Sequence, residues 1–421
     1  MALVPVHGGL DAPVDRFLPF SKKSALLAEA ASMPKISVTD ADLSVVYRIA
    51  DGTLSPLTGF MDEATYNHVL DEKNLVRNGT KYAWAIPLGL PVTDEEAAAL
   101  KPGVIAALVN STGAVFGTLA VSSVFGWNKP RYVEKVYGTP RMDHPGAAIA
   151  TDDMRTTLVG GDLMVLPAAR NNEYGDLMMS PARTRQLIAE RKWEAALAFQ
   201  TRNPLHRAHE YALVYGAEQL TRSGKYTGVV LNPLVGQLKN DDVDASTRVK
   251  TYRMLRDRRL LGQGDSDRAL WDSVGYDLND VFELVCLDMK MFYGGPSEAI
   301  MHSIYRQNHG FSHIVIGRKH ADAPYFDKSA IWGDFDAQEI FENLPGTLHT
   351  RPVKVGFAAY YESIGRVDLT ENHKGVAPYS ISGTIMREQL VGGERPDARI
   401  IRGDVADVLI EAYRAKAAAG A

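Results

Sequence analysis

The hydrophobic pattern of this chain changes character near residue 180. Before it, "KYAWAIPLGLPV", "GVIAALVNSTGAVFGTLAVSSVF" and "GDLMVLP" are short apolar runs broken by turn residues, which predicts strands. "NSTG" (110–113) sits between two such runs as a hairpin turn, and "PRMDHPGAA" (140–148) reads as loop. With a few helices between, residues 1–168 read as a mixed α+β domain. From Ser180 the runs alternate in length and period. "SPARTRQLIAERKW" predicts a helix with Ser180 as N-cap and Pro181 at its first position. "EAALAF", "YTGVVLNPLVG", "VFELVCLDMK" and "FSHIVIG" predict strands. "NPLHRAHEYALVYGAEQLTRSG", "DASTRVKTYRMLRD" and "GPSEAIMHSIYRQNHG" predict the helices between them. Such alternation implies parallel pairing with right-handed crossovers, hence an α/β fold with a doubly wound, Rossmann-like sheet over about 181–345, inside a central domain of 169–350. Residues 351–421 form a small C-terminal domain, with "VKVGFAAYY" as a strand, "ISGTIMREQLVGG" as a capped helix and "DVADVLIEAYRAKAAAG" as a final amphipathic helix.

Open parallel sheets bind ligands beyond the carboxyl ends of their strands. In this chain polar clusters fall at those ends: "QTRN" after "ALAF", "NPLVGQLKNDD" after "TGVVL", "GGP" after "LVCLD", and "GRKH" after "HIVI". "QTRNPLHRAHE" (200–210) is the densest. Asn203 suits an N-cap and Pro204 the first helical position, so a helix amino end with its free N–H groups and positive dipole faces whatever binds there. His206 and His209, three apart, share a face; Arg202 offers a planar fork for oxyanions; Gln200 and Asn203 offer amides. The plain alternative is that the histidines cap the helix or fill surface. Zinc held by the pair is disfavoured, because no third ligand stands at metal-site spacing. Charge, helix start and strand end agree on an anion. Lys239, Arg248, Arg318, Lys319, His320 and Arg387 are further cations for the same crevice, though each alone would be an ordinary surface residue.

Composition narrows the ligand. The chain has 421 residues, 46 basic against 51 acidic, for a net charge of -5, which argues against a general nucleic-acid or membrane-surface binder. The one cysteine, Cys286, lies in an apolar run and reads as an inert strand residue, and no thiolate metal cluster is available. No apolar stretch reaches the ~18 residues of a membrane span, and the first residues lack the order of a secretory signal, so the cytoplasm is the default compartment. A positive crevice in an acidic protein points to a polyanion such as a nucleoside triphosphate. Neither a G-x-x-x-x-G-K-[ST] loop nor a G-x-G-x-x-G after a strand occurs.

"QTRNPLHRAHE", "NPLVGQLKNDDV", "GGPSEAIMHSIYRQNHGFSHIVIGRKHA" and "ISGTIMR" together resemble the ATP sulfurylase family over roughly residues 20–390, and "LSPLTGFM" (54–61) resembles the family's PUA-like N-terminal domain. The resemblance implies the reaction ATP + sulfate ⇌ adenylylsulfate + pyrophosphate, with Mg²⁺ on the phosphates. It implies that Gln200 and Arg202 hold sulfate with the backbone of Ala321, and that Thr201, Arg202 and Asn203 form the catalytic loop. Gln200 to Asn203 with Gly317, Arg318, Lys319 and His320 would line the nucleotide site. His206 and His209 would meet the phosphates, and the backbone of Ala359 would meet adenine. It further implies a homodimer without nucleic-acid or membrane partners. The absence of a Walker motif implies that no adenylylsulfate kinase domain is fused to it.

Three departures from the commonest family pattern stand out. Lys319 replaces the frequent Asp or Asn, Ser297 replaces Arg, and the segment after Tyr360 and Tyr361 has no cysteines, leaving His373 alone and no structural zinc expected. "GRKHADAP" looks most like forms from sulfur-metabolising microbes, a hint of the ATP-forming direction. Two rivals remain at this stage. One is another nucleotidyltransferase of the superfamily, which would show H-x-G-H where this chain has Ala208. The other is an RNA binder built on residues 1–168, although no basic stripe there supports it.

Overall fold

The computed structural model describes residues 3–168, 172–236, 243–379 and 383–419. The N-terminal domain is built on a mostly antiparallel six-stranded sheet in the order Lys35–Ser37, Ile105–Val109, Val115–Gly126, Thr157–Val165 and Gly59–Phe60, with Leu90–Val92 also on the fourth of these. "NSTG" does turn between two of its strands, where Asn110 Oδ1 accepts from the N–H groups of Thr112 and Ala114. "PRMDHPGAA" is only partly loop. Pro145–Thr151 is helical, because Pro145 pre-sets its first turn and the His144 ring accepts the Gly146 N–H as a cap.

The central domain alternates as its hydrophobic pattern predicts. In chain order it runs α1 (Pro181–Glu190), β1 (Ala195–Thr201), α2 (Arg207–Arg222), β2 (Thr227–Pro233), α3 (Ala245–Asp257), β3 (Phe282–Leu284), α4 (Gly295–Asn308), β4 (His313–Ile316) and β5 (Arg351–Lys354). All five strands are parallel, in the order β3-β2-β1-β4-β5. The order reverses between β1 and β4, so their carboxyl ends open the crevice where such sheets take ligands. The fifth strand is supplied by residues beyond 350. "VKVGFAAYY" is therefore two strands, β5 and β6 (Ala358–Tyr361), parted by Val355, Gly356 and Phe357. β6 forms a hairpin with β7 (Arg366–Leu369). Helices α5 (Gly383–Gly392) and α6 (Gly403–Ala419) finish the chain, α6 packing on α3. The core of this half includes Leu197, Val229 and Leu231 from the sheet, Cys286 just after β3, and Val214 and Ala217 from α2. Cys286 is fully buried, and burial pushes its thiol up to about 12, consistent with an inert packing residue.

The two halves share one core, in which Val136 and Tyr137 of the N-terminal domain meet Leu287, Met289 and Phe292. Polar bonds pin the same segment. Ser44 Oγ donates to Asp288 Oδ1 (2.6 Å), Arg48 donates to the Asp288 carbonyl (2.8 Å), Lys290 pairs with Asp42 (2.9 Å) and Tyr137 Oη donates to the Phe292 carbonyl (2.9 Å). At the other side the extreme N-terminal segment lies on the central domain. Arg185 donates to the Val4 carbonyl (2.7 Å), Gln307 to the Pro5 carbonyl (3.0 Å), and the His7 N–H to Asn308 Oδ1 (2.9 Å).

Candidate functional site

A cleft of about 850 Å³ opens at the carboxyl ends of β1 and β4. Gln200, Thr201, Arg202, Asn203, His206 and His209 line one wall. Gly317, Arg318, Lys319, His320 and Ala321 line the other. Arg387 of α5 also reaches it. "QTRN" and "GRKH", more than a hundred residues apart in the chain, thus face each other at the point where the strand order reverses. Ala359 is set apart: it lines an adjoining pocket of about 200 Å³ that shares His206, Ala208 and Ala358 with the cleft. Gly356 and Phe357, which carry no sequence signal of a site, also line the main cleft.

The loop after β1 differs from the expected helix start. Asn203 is not the N-cap. Its N–H donates to Thr201 Oγ1 (3.2 Å) and its carbonyl accepts from Thr201 Oγ1 (3.0 Å) and Tyr252 Oη (2.7 Å), which holds "TRN" as a tight turn. The helix begins at Arg207, and His206 caps it, its Nδ1 accepting the His209 N–H (3.2 Å). The Arg207 N–H is also engaged, by the Ile400 carbonyl (2.7 Å). The helix dipole still points at the cleft, but two of its first three N–H groups are used inside the protein. The last residue of the motif, Glu210, is buried and pairs with Arg402 (2.7 Å), tying the C-terminal segment to α2.

Arg202 projects from this turn with its guanidinium over the Tyr293 ring (5.1 Å) and a bond to Tyr293 Oη (3.1 Å). Arg248, expected among the crevice cations, is instead buried beneath the turn. It donates to the carbonyls of Arg202 (3.0 Å) and Val243 (2.8 Å) and supports the loop rather than a ligand. Arg248→Met is expected to lower kcat/KM for the anionic substrate by about tenfold, the size of one or two lost buried hydrogen bonds. Unchanged steady-state kinetics would detach Arg248 from the site. Lys239 lies outside the described residues, as do Ile381 and Ser382 of "ISGTIMR".

The opposite wall is a strained loop. Lys319 (φ 49°) and Ala321 (φ 54°) both sit in the left-handed region, which non-glycine residues rarely adopt. The Ala321 carbonyl accepts from the Gly295 N–H (3.1 Å), so its own N–H is the group it can offer an anion. Gly295 itself has φ 50°, and a Cβ there would meet the Trp332 ring at 2.5 Å. Arg318 stacks on Phe357 (4.5 Å), and Arg318 and Lys319 stand 3.7 and 3.8 Å from Asp334. Ser297, one of the family departures, faces away from the cleft: its hydroxyl donates to the Val136 carbonyl (2.9 Å) in the N-terminal domain.

The histidines are not cations. Burial depresses His206; burial and then His206 hold His209 down at about 3; burial and then His302 hold His320 well below its ordinary value. Among the described residues, positive charge in the cleft therefore comes from Arg202, Arg318, Lys319 and Arg387, and His206 and His209 offer neutral N–H groups. Burial similarly lowers His7 and His313, each to about 4, and also His302 and His309, which makes seven of the chain's 11 histidines. A histidine that resists protonation when folded but accepts it at 6.5 when unfolded contributes stability above that pH, lost as pH falls toward the folded value. The thermal midpoint is accordingly expected to drop steeply between pH 7 and pH 5. A flat profile in scanning fluorimetry would show the histidines are not buried neutral.

Comparison with known proteins agrees with this geometry. Residues 175–412 match the family model ATP-sulfurylase, and residues 4–168 match the PUA-like domain. A sulfate adenylyltransferase of Pyropia yezoensis is 55% identical over 415 residues, covering 98% of this chain and 97% of the relative. One of Halothermothrix orenii is 32% identical, covering 97% and 99%. Among solved structures, "Hexameric APS kinase from Thiobacillus denitrificans" is similar in fold, with a TM-score of 0.70 at 20% identity over 97% of this chain and 68% of that one.

Proposed function

The chain belongs to the ATP-sulfurylase family, and on that premise we infer that it catalyses ATP + sulfate ⇌ adenylylsulfate + pyrophosphate. The observation that carries this reading is the meeting of "QTRN" and "GRKH" across the β1/β4 crevice. Sulfate is fully ionised at neutral pH, so its attack on the α-phosphorus needs no general base. Its difficulties are low nucleophilicity and repulsion from a triphosphate. Arg202, held over Tyr293 and bonded to its hydroxyl, offsets the sulfate charge, with Gln200 and the Ala321 N–H completing the pocket. Thr201 and Asn203 keep the turn that aims Arg202. Neutral His206 and His209, with the α2 dipole, face the charge that builds on the departing pyrophosphate. Gly317, Arg318, Lys319 and His320, which line the cleft, would hold the nucleotide, and the backbone of Ala359 in the adjoining pocket would meet adenine. The displacement is in line, without a covalent enzyme intermediate.

Mg²⁺ enters as part of the nucleotide substrate. His373 bonds Asp368 (3.0 Å) and stacks on Tyr361 (4.1 Å), and metal analysis of purified protein is expected to find no stoichiometric zinc; one ion per chain would overturn that. The same reading takes residues 1–168 as the PUA-like support, 169–350 as the catalytic unit, 351–421 as the C-terminal part, and the protein as a cytoplasmic homodimer. No helix among the described residues is long and apolar enough to cross a membrane. The decisive experiment is pyrophosphate release from ATP and Mg²⁺, with sulfate or pantetheine phosphate as acceptor, run also in reverse from adenylylsulfate. Release that depends on pantetheine phosphate and not on sulfate would overturn the assignment.

A further inference from the structure

Behind the two walls of the cleft lies a buried polar chain that the mechanism above leaves unused. His302, on α4, is fully buried, yet all its ring nitrogens have partners. Its Nδ1 lies 2.9 Å from His320 Nε2 on the nucleotide wall. Its Nε2 lies 3.3 Å from Glu298 Oε1 and 3.5 Å from the Gln200 amide on the sulfate wall. Glu298 is buried as well, and its carboxylate accepts the N–H groups of Phe292 (2.9 Å) and Gly294 (3.0 Å). Those two residues flank Tyr293, the platform under Arg202.

The proton positions in this chain follow from elementary chemistry. A carboxylate only accepts, so Glu298 places the His302 proton on Nε2. Nδ1 is then a lone pair, and it accepts the Nε2–H of His320. That fixes the tautomer of His320 and leaves its Nδ1 as an acceptor. The Gln200 side chain follows too. Its Oε1 is buried without a partner among the described residues, and turning the amide over, which does not change its outline, lets that oxygen answer the His302 N–H. One ring thereby sets the orientation of a group on each wall.

We propose that His302 is a positioning residue through which Glu298 fixes both the Gln200 amide at the sulfate side and the His320 ring at the nucleotide side. The proposal rests on the assignment of those two walls to sulfate and nucleotide. It predicts that the two arms can be cut separately. An asparagine amide reaches about as far as Nδ1 of histidine, and a glutamine amide about as far as Nε2. His302→Asn keeps a partner for His320 and loses Gln200 and Glu298. His302→Gln does the reverse.

The test is steady-state kinetics of pyrophosphate release, with KM for sulfate and for MgATP measured separately and thermal midpoints recorded beside them. His302→Asn is expected to raise KM for sulfate roughly three- to tenfold, the range of one buried hydrogen bond, with KM for MgATP moved less than about twofold. His302→Gln is expected to show the opposite split. A merely structural role for His302 would move both constants together, and that result would overturn the proposal. Should neither variant fold, Glu298→Gln carries the test: because Glu298 acts on both walls and also holds the N–H groups on either side of Tyr293, both constants should rise, that for sulfate further, and an unchanged KM for MgATP or equal rises count against the proposal. Wild-type protein without sulfate-dependent turnover would remove the functional reading beneath it. Wild-type turnover with unsplit variants would remove only this inference.

Discussion

Arg202→Ala is expected to lower sulfate-dependent turnover by about 10³-fold, the upper range for removing one preorganised charge-stabilising donor. The folded state should survive, because the side chain is only half-buried and its backbone turn is held independently by Thr201, Tyr252 and Arg248. A thermal midpoint within a few degrees of wild type, together with near-complete loss of activity, is the expected pair of results. Arg202→Lys should recover little. The ammonium restores charge but not the planar fork that lies on Tyr293 while bonding its hydroxyl. A variant with near-normal turnover would show that sulfate is held elsewhere.

His206→Ala and His209→Ala are expected to lower kcat by about 10²-fold each, with KM for sulfate little changed. Their rings lie 5.5 Å apart, and His209 stands edge-on to Phe199 at 5.0 Å, so each has a fixed orientation. His206 has a second duty as helix cap, and its removal also costs about 1 kcal/mol of stability. His206→Asn separates the two: it keeps the cap and loses the imidazole. The thermal midpoint should return while kcat stays low. Losses confined to sulfate affinity would contradict the placement of these rings at the leaving group.

The parts of the site that were legible in the sequence are those where local and global signals coincide. "ALAFQTRN" and "HIVIGRKH" each end an apolar strand in a donor cluster, and both clusters line the cleft. The parts that were not legible depend on partners far away. Asn203 looks like a cap, but Thr201 and Tyr252 claim it for a turn. Arg248 reads as one more cation of an amphipathic helix until α3 packs beneath the β1 loop and buries it. The β5 strand carries Pro352 and is half-exposed, and the long stretch between it and β4 holds only the short helix Asp336–Glu339 and one further helical turn, so nothing local ties it to the sheet. Burial, not sequence, decides that the site histidines are neutral. The His302 chain spans partners from four to 102 residues away, beyond any periodicity.

The docking of residues 4–7 on α1 and α4 bears on how the protein is made. Asn308, the partner of His7, is synthesised 301 positions after it. At synthesis rates of roughly 5–20 residues per second, His7 waits on the order of 15–60 s for the group that receives it. Until then the Pro5 carbonyl and the His7 N–H lack the partners that hold them in the folded protein, so this seam between the two halves closes only after α4 is complete.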